Sequence, residues 1–124
     1  VEIGDALYGL QHLQVLWLND NQIEEVTGLH HLPRLRDFRV ARNRLSKLGA
    51  AFEHNKALQA LNVADNALWS LRDAYVLQAL PELSELHFAD PDWGENPVCF
   101  LSNYHTYVLS HLPKLQILDG MRIG

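Results

Sequence analysis

The sequence predicts an α/β fold: a right-handed solenoid with a parallel concave sheet, a short helical or irregular convex side and a C-terminal helical cap. Three observations carry this reading. First, an apolar frame recurs, as Leu13-x-x-Leu16-x-Leu18-x-x-Asn21-x-Ile23, then Leu35-x-x-Phe38-x-Val40-x-x-Asn43-x-Leu45, then Leu58-x-x-Leu61-x-Val63-x-x-Asn66-x-Leu68, with starts 22 and then 23 residues apart. Second, the last two apolar residues of each frame alternate, so a short strand points one side into a core and the other outward. Third, an asparagine stands at the same place in every frame. The chain must turn sharply there, which leaves inward-facing backbone N–H and C=O groups in need of partners. A carboxamide donates and accepts at once, so Asn21, Asn43 and Asn66 form a structural ladder between neighbouring turns.

The elements follow in order. Residues 1–12 read as a truncated repeat, with Leu7 and Leu10 at its later apolar positions, so the chain is expected to be a piece of a longer array. The first strand, at Leu13, would then present an open edge able to self-associate with another copy. Repeats span 13–34, 35–57 and 58–82. The third carries extra length around Trp69-Ser70-Leu71-Arg72-Asp73-Ala74-Tyr75, where Leu71, Tyr75, Leu77 and Leu80 hold no clean face. A helical turn is expected there, and no long helix. A long repeat, 83–114, follows: Asn96 lies eight residues after Phe88 where the frame predicts three, so an insertion precedes the fourth ladder member. Pro91, Trp93 and Pro97 make the inserted loop stiff. Phe100, Tyr104, Val108 and Leu112 recur at steps of four and predict an outer helix with Ser102 or Asn103 as N-cap, ended by Pro113. Leu115 to Leu118 predict the last strand, and 115–124 the terminal strand and tail. The whole, 1–124, reads as a single domain.

These repeats resemble the 22-residue intracellular class of leucine-rich repeats, the group that includes a protein-phosphatase-1 regulator, the leucine-rich light chain of outer-arm dynein and the A-prime protein of a spliceosomal particle. Val26, Leu29 and Leu32 fit its later consensus positions. Asn96-Pro97-Val98-Cys99, Tyr104-His105-Thr106-Tyr107 and His111-Leu112-Pro113-Lys114-Leu115-Gln116-Ile117-Leu118-Asp119-Gly120 resemble its C-terminal cap. Asp90-Pro91-Asp92-Trp93-Gly94-Glu95 followed by that cap most resembles large multi-repeat ciliary leucine-rich proteins. The resemblance implies an intracellular protein-binding scaffold in a ciliary or cytoskeletal assembly. Two alternatives remain: a regulatory subunit that docks a protein phosphatase, and a ribonucleoprotein subunit.

Composition narrows the class. No run of apolar residues is long enough to span a membrane, so none is expected to be a partner. Cys99 is the only cysteine, which points to a reducing compartment, hence a cytoplasmic placement, and to a packing role for its side chain. No catalytic residue, cofactor or metal is expected. The seven histidines lack metal-ligand spacing, with His12, His31 and His111 read as solvated turns. His87 near Glu85 and Asp90 could imitate an acid–base group, but no nucleophile or phosphate loop accompanies it.

Function is read from the outward strand positions. These are Val15 and Trp17, Asp37 and Arg39, Ala60 and Asn62, Glu85 and His87. Trp17 and Arg39 are expected to stack across neighbouring strands, and both residue types are enriched among interface hot spots. At the strand exits Asp20, Arg42, Asp65 and Asp90 make a second column, with Arg42 expected between two acids. The predicted partner-binding set is therefore Val15, Trp17, Asp37, Arg39, Arg42, Asn62, Glu85 and His87. The partner is a helix or extended segment of another protein. Six of the ten basic residues, Arg34, Arg36, Arg39, Arg42, Arg44 and Lys47, fall between positions 34 and 47 of a chain whose formal charge is −5, and such a belt would suit an acidic partner. One repeat is too narrow a footprint for nucleic acid, so direct binding to it is not expected.

Overall fold

A computed structural model describes residues 7–123. Six short strands form one sheet in chain order: β1 (Val15–Trp17), β2 (Asp37–Arg39), β3 (Ala60–Asn62), β4 (Glu85–His87), β5 (Ile117–Leu118) and β6 (Met121–Arg122). The first five run parallel, and the frame sets their register: Leu16 faces Phe38, Phe38 faces Leu61, Leu61 faces Leu86, and Leu86 faces Leu118. β6 is antiparallel to β5 and was not foreseen. Asp119 and Gly120 join them with φ of 54° and 82°, the left-handed pair of a tight Asp-Gly hairpin. The predicted first part of the truncated repeat, residues 1–6, lies outside the described residues.

The convex side is short and mostly irregular because each repeat has few residues left after its strand and turn. Leu29–His31 is a 3₁₀ turn, α1 (Arg72–Tyr75) runs into a 3₁₀ turn at Val76–Ala79, and Pro97–Phe100 is another. The C-terminal helix, α2, is Tyr104–His111, shorter than the step-of-four pattern implied. Phe100 is not on its inner face: it ends the preceding 3₁₀ turn and is 71% exposed. Asn103 is the N-cap, yet its side chain makes no capping bond. His111 is not a solvated turn either; it closes α2 with its ring stacked 4.0 Å from Tyr107.

Stacked inward residues make one core, in which Phe38, Leu61, Leu86 and Leu118 are all but inaccessible and Phe38 meets Phe52 edge-on at 5.8 Å. Between the strands and the convex side runs the asparagine ladder. Asn43 donates to the carbonyls of Leu18, Val40 and Ala41, at 3.0, 2.9 and 3.1 Å, and accepts the Ile23 amide at 3.0 Å. Asn66 repeats this with Val40, Val63, Ala64 and the Leu45 amide. Asn96 does the same with Val63, Phe88 and the Leu68 amide, despite the insertion before it. Each carboxamide thus bonds its own turn and the repeat before it. Asn43 and Asn96 are buried, whereas Asn66 is half-buried and Asn21 is exposed. Asn21 keeps only local bonds to the Leu18 and Asn19 carbonyls.

Three further side chains tie repeats together and escaped the sequence reading. Asn55, fully buried, donates to the Leu29 and Leu32 carbonyls. Asp119 accepts the Phe88 and Ala89 amides and the Tyr104 hydroxyl, the last at 2.7 Å. Burial, with Asp119 beside it, holds the Tyr104 hydroxyl well above its ordinary range, so it remains a donor. Asp73, in α1, accepts the Leu48 amide at 2.8 Å through Oδ1, while its buried Oδ2 has no partner among the described residues. Cys99 packs half-buried beside the Phe88 carbonyl, and burial pushes its thiol pKa up.

Two stability outcomes follow. Asn43→Ala strands an amide and several carbonyls in the interior and should cost about 1–3 kcal/mol in urea denaturation, while Asn21→Ala should change stability by less than about 0.5 kcal/mol. Equal costs at both positions would contradict the ladder. At Asp73, desolvation raises the carboxyl pKa against the pull of the Leu48 amide. Because the folded-state value is the higher one, the protonated form favours the fold. That contribution is present below the unfolded-state pKa and is lost as pH rises through the raised value. Asp73→Asn keeps the acceptor for Leu48 and removes the charge. Denaturation midpoints should therefore show it gaining on the wild type from acid to neutral pH, and a difference that does not vary with pH would refute this.

Candidate protein-binding face

Parallel register aligns the outward residues into two columns across the concave sheet. One runs Val15, Asp37, Ala60, Glu85, Ile117, and the other Trp17, Arg39, Asn62, His87. The columns exist because period-two alternation repeats in every strand. Their exposure is graded along the solenoid. Val15 and Trp17 are 50% and 57% exposed, Arg39 is half-buried, and Asn62 and His87 are only 6% and 8% exposed.

The open end carries the expected stack. The Arg39 guanidinium lies 4.3 Å from the centre of the Trp17 ring. Its Nε and Nη2 also donate to both oxygens of Asp37, at 3.2 and 3.3 Å. A charge placed this way is already shared with a neighbouring carboxylate, and its planar face is shared with an indole.

The closed end departs from the expectation that Asn62 and His87 stand free on the concave face. Asn62 donates to Asp90 at 3.1 Å and accepts the Ala64 amide at 3.0 Å. His87 Nδ1 accepts the Gly120 amide at 3.1 Å, so the ring proton sits on Nε2, which faces Glu85 at 2.8 Å. The inserted loop and the terminal hairpin thus take up these two side chains, through Asp90 and Gly120. His87 serves the hairpin and is not poised as an acid–base group.

The strand exits are built from backbone in the left-handed region. Asp20, Arg42 and Asp65 have φ of 59°, 53° and 52°. Aspartate tolerates this conformation through local hydrogen bonding, and arginine has no such help. Arg42 is held instead by Asp65 at 3.2 Å, by the Trp93 carbonyl at 3.4 Å and by the Trp93 ring at 4.8 Å. It leans toward the inserted loop and does not sit between Asp20 and Asp65. The loop itself closes on an Asp90–Gly94 bridge, with Gly94 at φ 136° against Asp65. A Cβ at Gly94 would meet the Asp65 side chain at 3.2 Å, so this position suits only glycine.

Much of the basic belt is paired: Arg34 meets His12, Arg36 meets Gln14 and Gln59, Arg39 meets Asp37, and Arg42 meets Asp65. Arg44 and Lys47 lie beyond the turn.

Comparison with known proteins places the chain among repeat proteins. The family described as "Leucine-rich repeat" matches residues 3–124. The U2 small nuclear ribonucleoprotein A' of Neurospora crassa is 30% identical over 105 residues, covering 84% of this chain and 40% of that protein. Its Homo sapiens counterpart is 27% identical over 115 residues, 92% of this chain and 43% of the relative. The chain therefore spans under half the length of these relatives. Human leucine-rich repeat-containing protein 56 is 31% identical over 124 residues, covering 94% of this chain and 23% of its own. Among solved structures, the crystal structure of the Drosophila melanogaster SNF/U2A' complex superposes with a TM-score of 0.80 at 27% identity, covering 93% of this chain and 64% of the matched one.

The hook of the inserted loop makes a measurable prediction. A double-mutant cycle between Arg42→Met and Trp93→Leu should give a coupling of about 0.5–1 kcal/mol, the scale of an exposed cation–π pair. Strict additivity would mean that the Trp93 ring takes no part in holding Arg42 and that the loop is held by its backbone contacts.

Proposed function

The chain belongs to the leucine-rich-repeat family, and we propose that it is a protein–protein interaction module whose concave sheet, at the β1–β2 end, receives a helix or extended segment of a partner. The observation that supports this most is the exposed Trp17 stacked on Arg39 beside Val15. A large apolar ring held rigid at the surface adds little to the core and costs little entropy when a partner covers it. The reading is non-catalytic, because the one histidine on the face is spent on the hairpin and Glu85. Val15, Trp17 and Arg39 carry it, with Asp37 and Glu85 beside them. Arg42, Asn62 and His87 move from contact residues to supports of the loop and hairpin.

A second reading is favoured by the relatives: a subunit that docks a protein within a ribonucleoprotein. The named matches are small nuclear ribonucleoprotein A' chains, and the SNF/U2A' structure is a complex with a protein partner. This supports docking of a protein partner, and a nuclear place over the cytoplasm. The regulator of a phosphatase gains nothing from the comparisons, and the ciliary or cytoskeletal scaffold rests on the resemblance of the inserted loop alone. No helix among the described residues is long and apolar enough to cross a membrane.

With a purified partner recovered by the full-length protein, calorimetry should show Trp17→Ala weakening binding by about 2 kcal/mol or more, with Thr106→Ala on the outer helix near neutral. Full affinity in Trp17→Ala would remove the concave face from the account. Titration with Drosophila SNF separates the two readings. Binding that is lost in Trp17→Ala supports the ribonucleoprotein role, and no binding favours a scaffold with another partner.

A further inference from the structure

We propose that the partner of the concave face is a basic amphipathic helix, which sets an apolar side chain against Val15 and Trp17 and a lysine or arginine, about two turns on, in the acidic hollow beside them; this rests on the concave-face reading above. The hollow is lined by Asp37, Arg39, Asn62, Glu85, His87 and Asp90 and has a volume of about 220 Å³. That is below the roughly 300–1,000 Å³ of small-molecule sites and suits one long side chain.

Charge names the occupant. Among the described residues Arg39 is the hollow's one strong cation, and its Nε and Nη2 already donate to the two oxygens of Asp37. Glu85 faces a histidine whose Nδ1 accepts the Gly120 amide, so that ring is neutral. Asp90 is met by the Asn62 carboxamide and the Asp92 amide, which are neutral too. Among the described residues two carboxylates, Glu85 and Asp90, therefore remain without a cation, on a chain of formal charge −5. The neighbouring arginines have partners elsewhere: Arg36 reaches Gln14 and Gln59, and Arg42 reaches Asp65 and the Trp93 carbonyl. An incoming ammonium or guanidinium would complete the set, and an acidic segment would meet repulsion where water is already partly excluded.

Spacing names the shape. The hollow centres on β3, two strands from Val15 and Trp17, a distance of roughly 10 Å at about 4.8 Å per strand. Two turns of α-helix rise roughly 11 Å, so positions i and about i+7 of one helix meet both features. The apolar end and the acidic end thus read one helix face together.

The test uses a synthetic amphipathic helical peptide with leucine and lysine about seven residues apart on one face, and its Lys→Glu counterpart, each titrated into the chain at low and physiological ionic strength. Nuclear magnetic resonance follows the Trp17 indole N–H and the His87 and Gly120 amides. The lysine peptide should shift all three and weaken as salt rises. It should bind roughly tenfold more weakly to Glu85→Lys, a change of about 1.4 kcal/mol, while circular dichroism shows that variant folded. Glu85→Gln, which keeps an acceptor for His87, should fall between them. Preference for the glutamate peptide, with Trp17 still shifting, would overturn the basic partner and leave the concave face standing. Lysine-peptide binding untouched by Trp17→Ala, with shifts elsewhere, would overturn both. Absence of lysine-peptide binding at low salt would refute the charge argument, and self-association that protects the Trp17 indole would make a second copy the occupant.

Discussion

A single carboxamide geometry holds the solenoid together. Each repeat must leave its strand, turn through a left-handed residue and start back along the convex side, and the turn faces inward where no water reaches. Asn43, Asn66 and Asn96 answer this by donating on both sides of a repeat boundary and accepting the amide of Ile23, Leu45 or Leu68. The ladder lies between two backbone ladders, the sheet itself and a second line formed by Arg44 to Ile23, Ala67 to Leu45 and Val98 to Leu68. Without the side chains those two lines would be separated by unpaired buried groups.

The ladder also explains how the chain tolerates its insertion. Extra residues between Phe88 and Asn96 loop out over the concave side, and Asn96 returns to bond Phe88 and Val63 as its counterparts do. What the loop does next differentiates the face. Trp93 meets Arg42, Asp90 meets Asn62, and the Asp119–Gly120 hairpin seals His87. A uniform sheet thereby becomes one with an open apolar end, a polar hollow and a covered end. Binding specificity in such a repeat array comes from this asymmetry more than from the repeat itself.

Much of the fold was legible because repeat proteins encode it locally. The spacing of Leu16, Phe38 and Leu61 fixed strand, register and core, and the recurring asparagines marked the turns. The Trp17–Arg39 stack followed from register and strand spacing alone. What sequence reasoning missed depends on distant segments. Asn62 and His87 sit at outward positions, and only the paths of the loop and hairpin cover them. Asn55, Asp73 and Asp119 act at single places without a repeating frame, although the Asp119-Gly120 pair was a readable hairpin signal. Phe100 fitted a helical period, but Pro97 starts a separate 3₁₀ turn that spends it on the surface. The arginine belt read as one block of charge, whereas the partners of Arg34, Arg36, Arg39 and Arg42 come from neighbouring strands and turns that linear order does not reveal.

Native-state hydrogen exchange tests the ladder most directly. Among the described residues the Ile23, Leu45 and Leu68 amides end on asparagine oxygens and on no backbone carbonyl, so their protection reports the carboxamides. Leu45 and Leu68 should exchange only through openings within about 1 kcal/mol of global unfolding, with Ile23, nearer the sheet's first strand, somewhat less protected. If Leu45 and Leu68 exchange as freely as the Asp92 amide, which donates to an exposed carboxylate in the inserted loop, the asparagines do not hold the repeats together and the account fails.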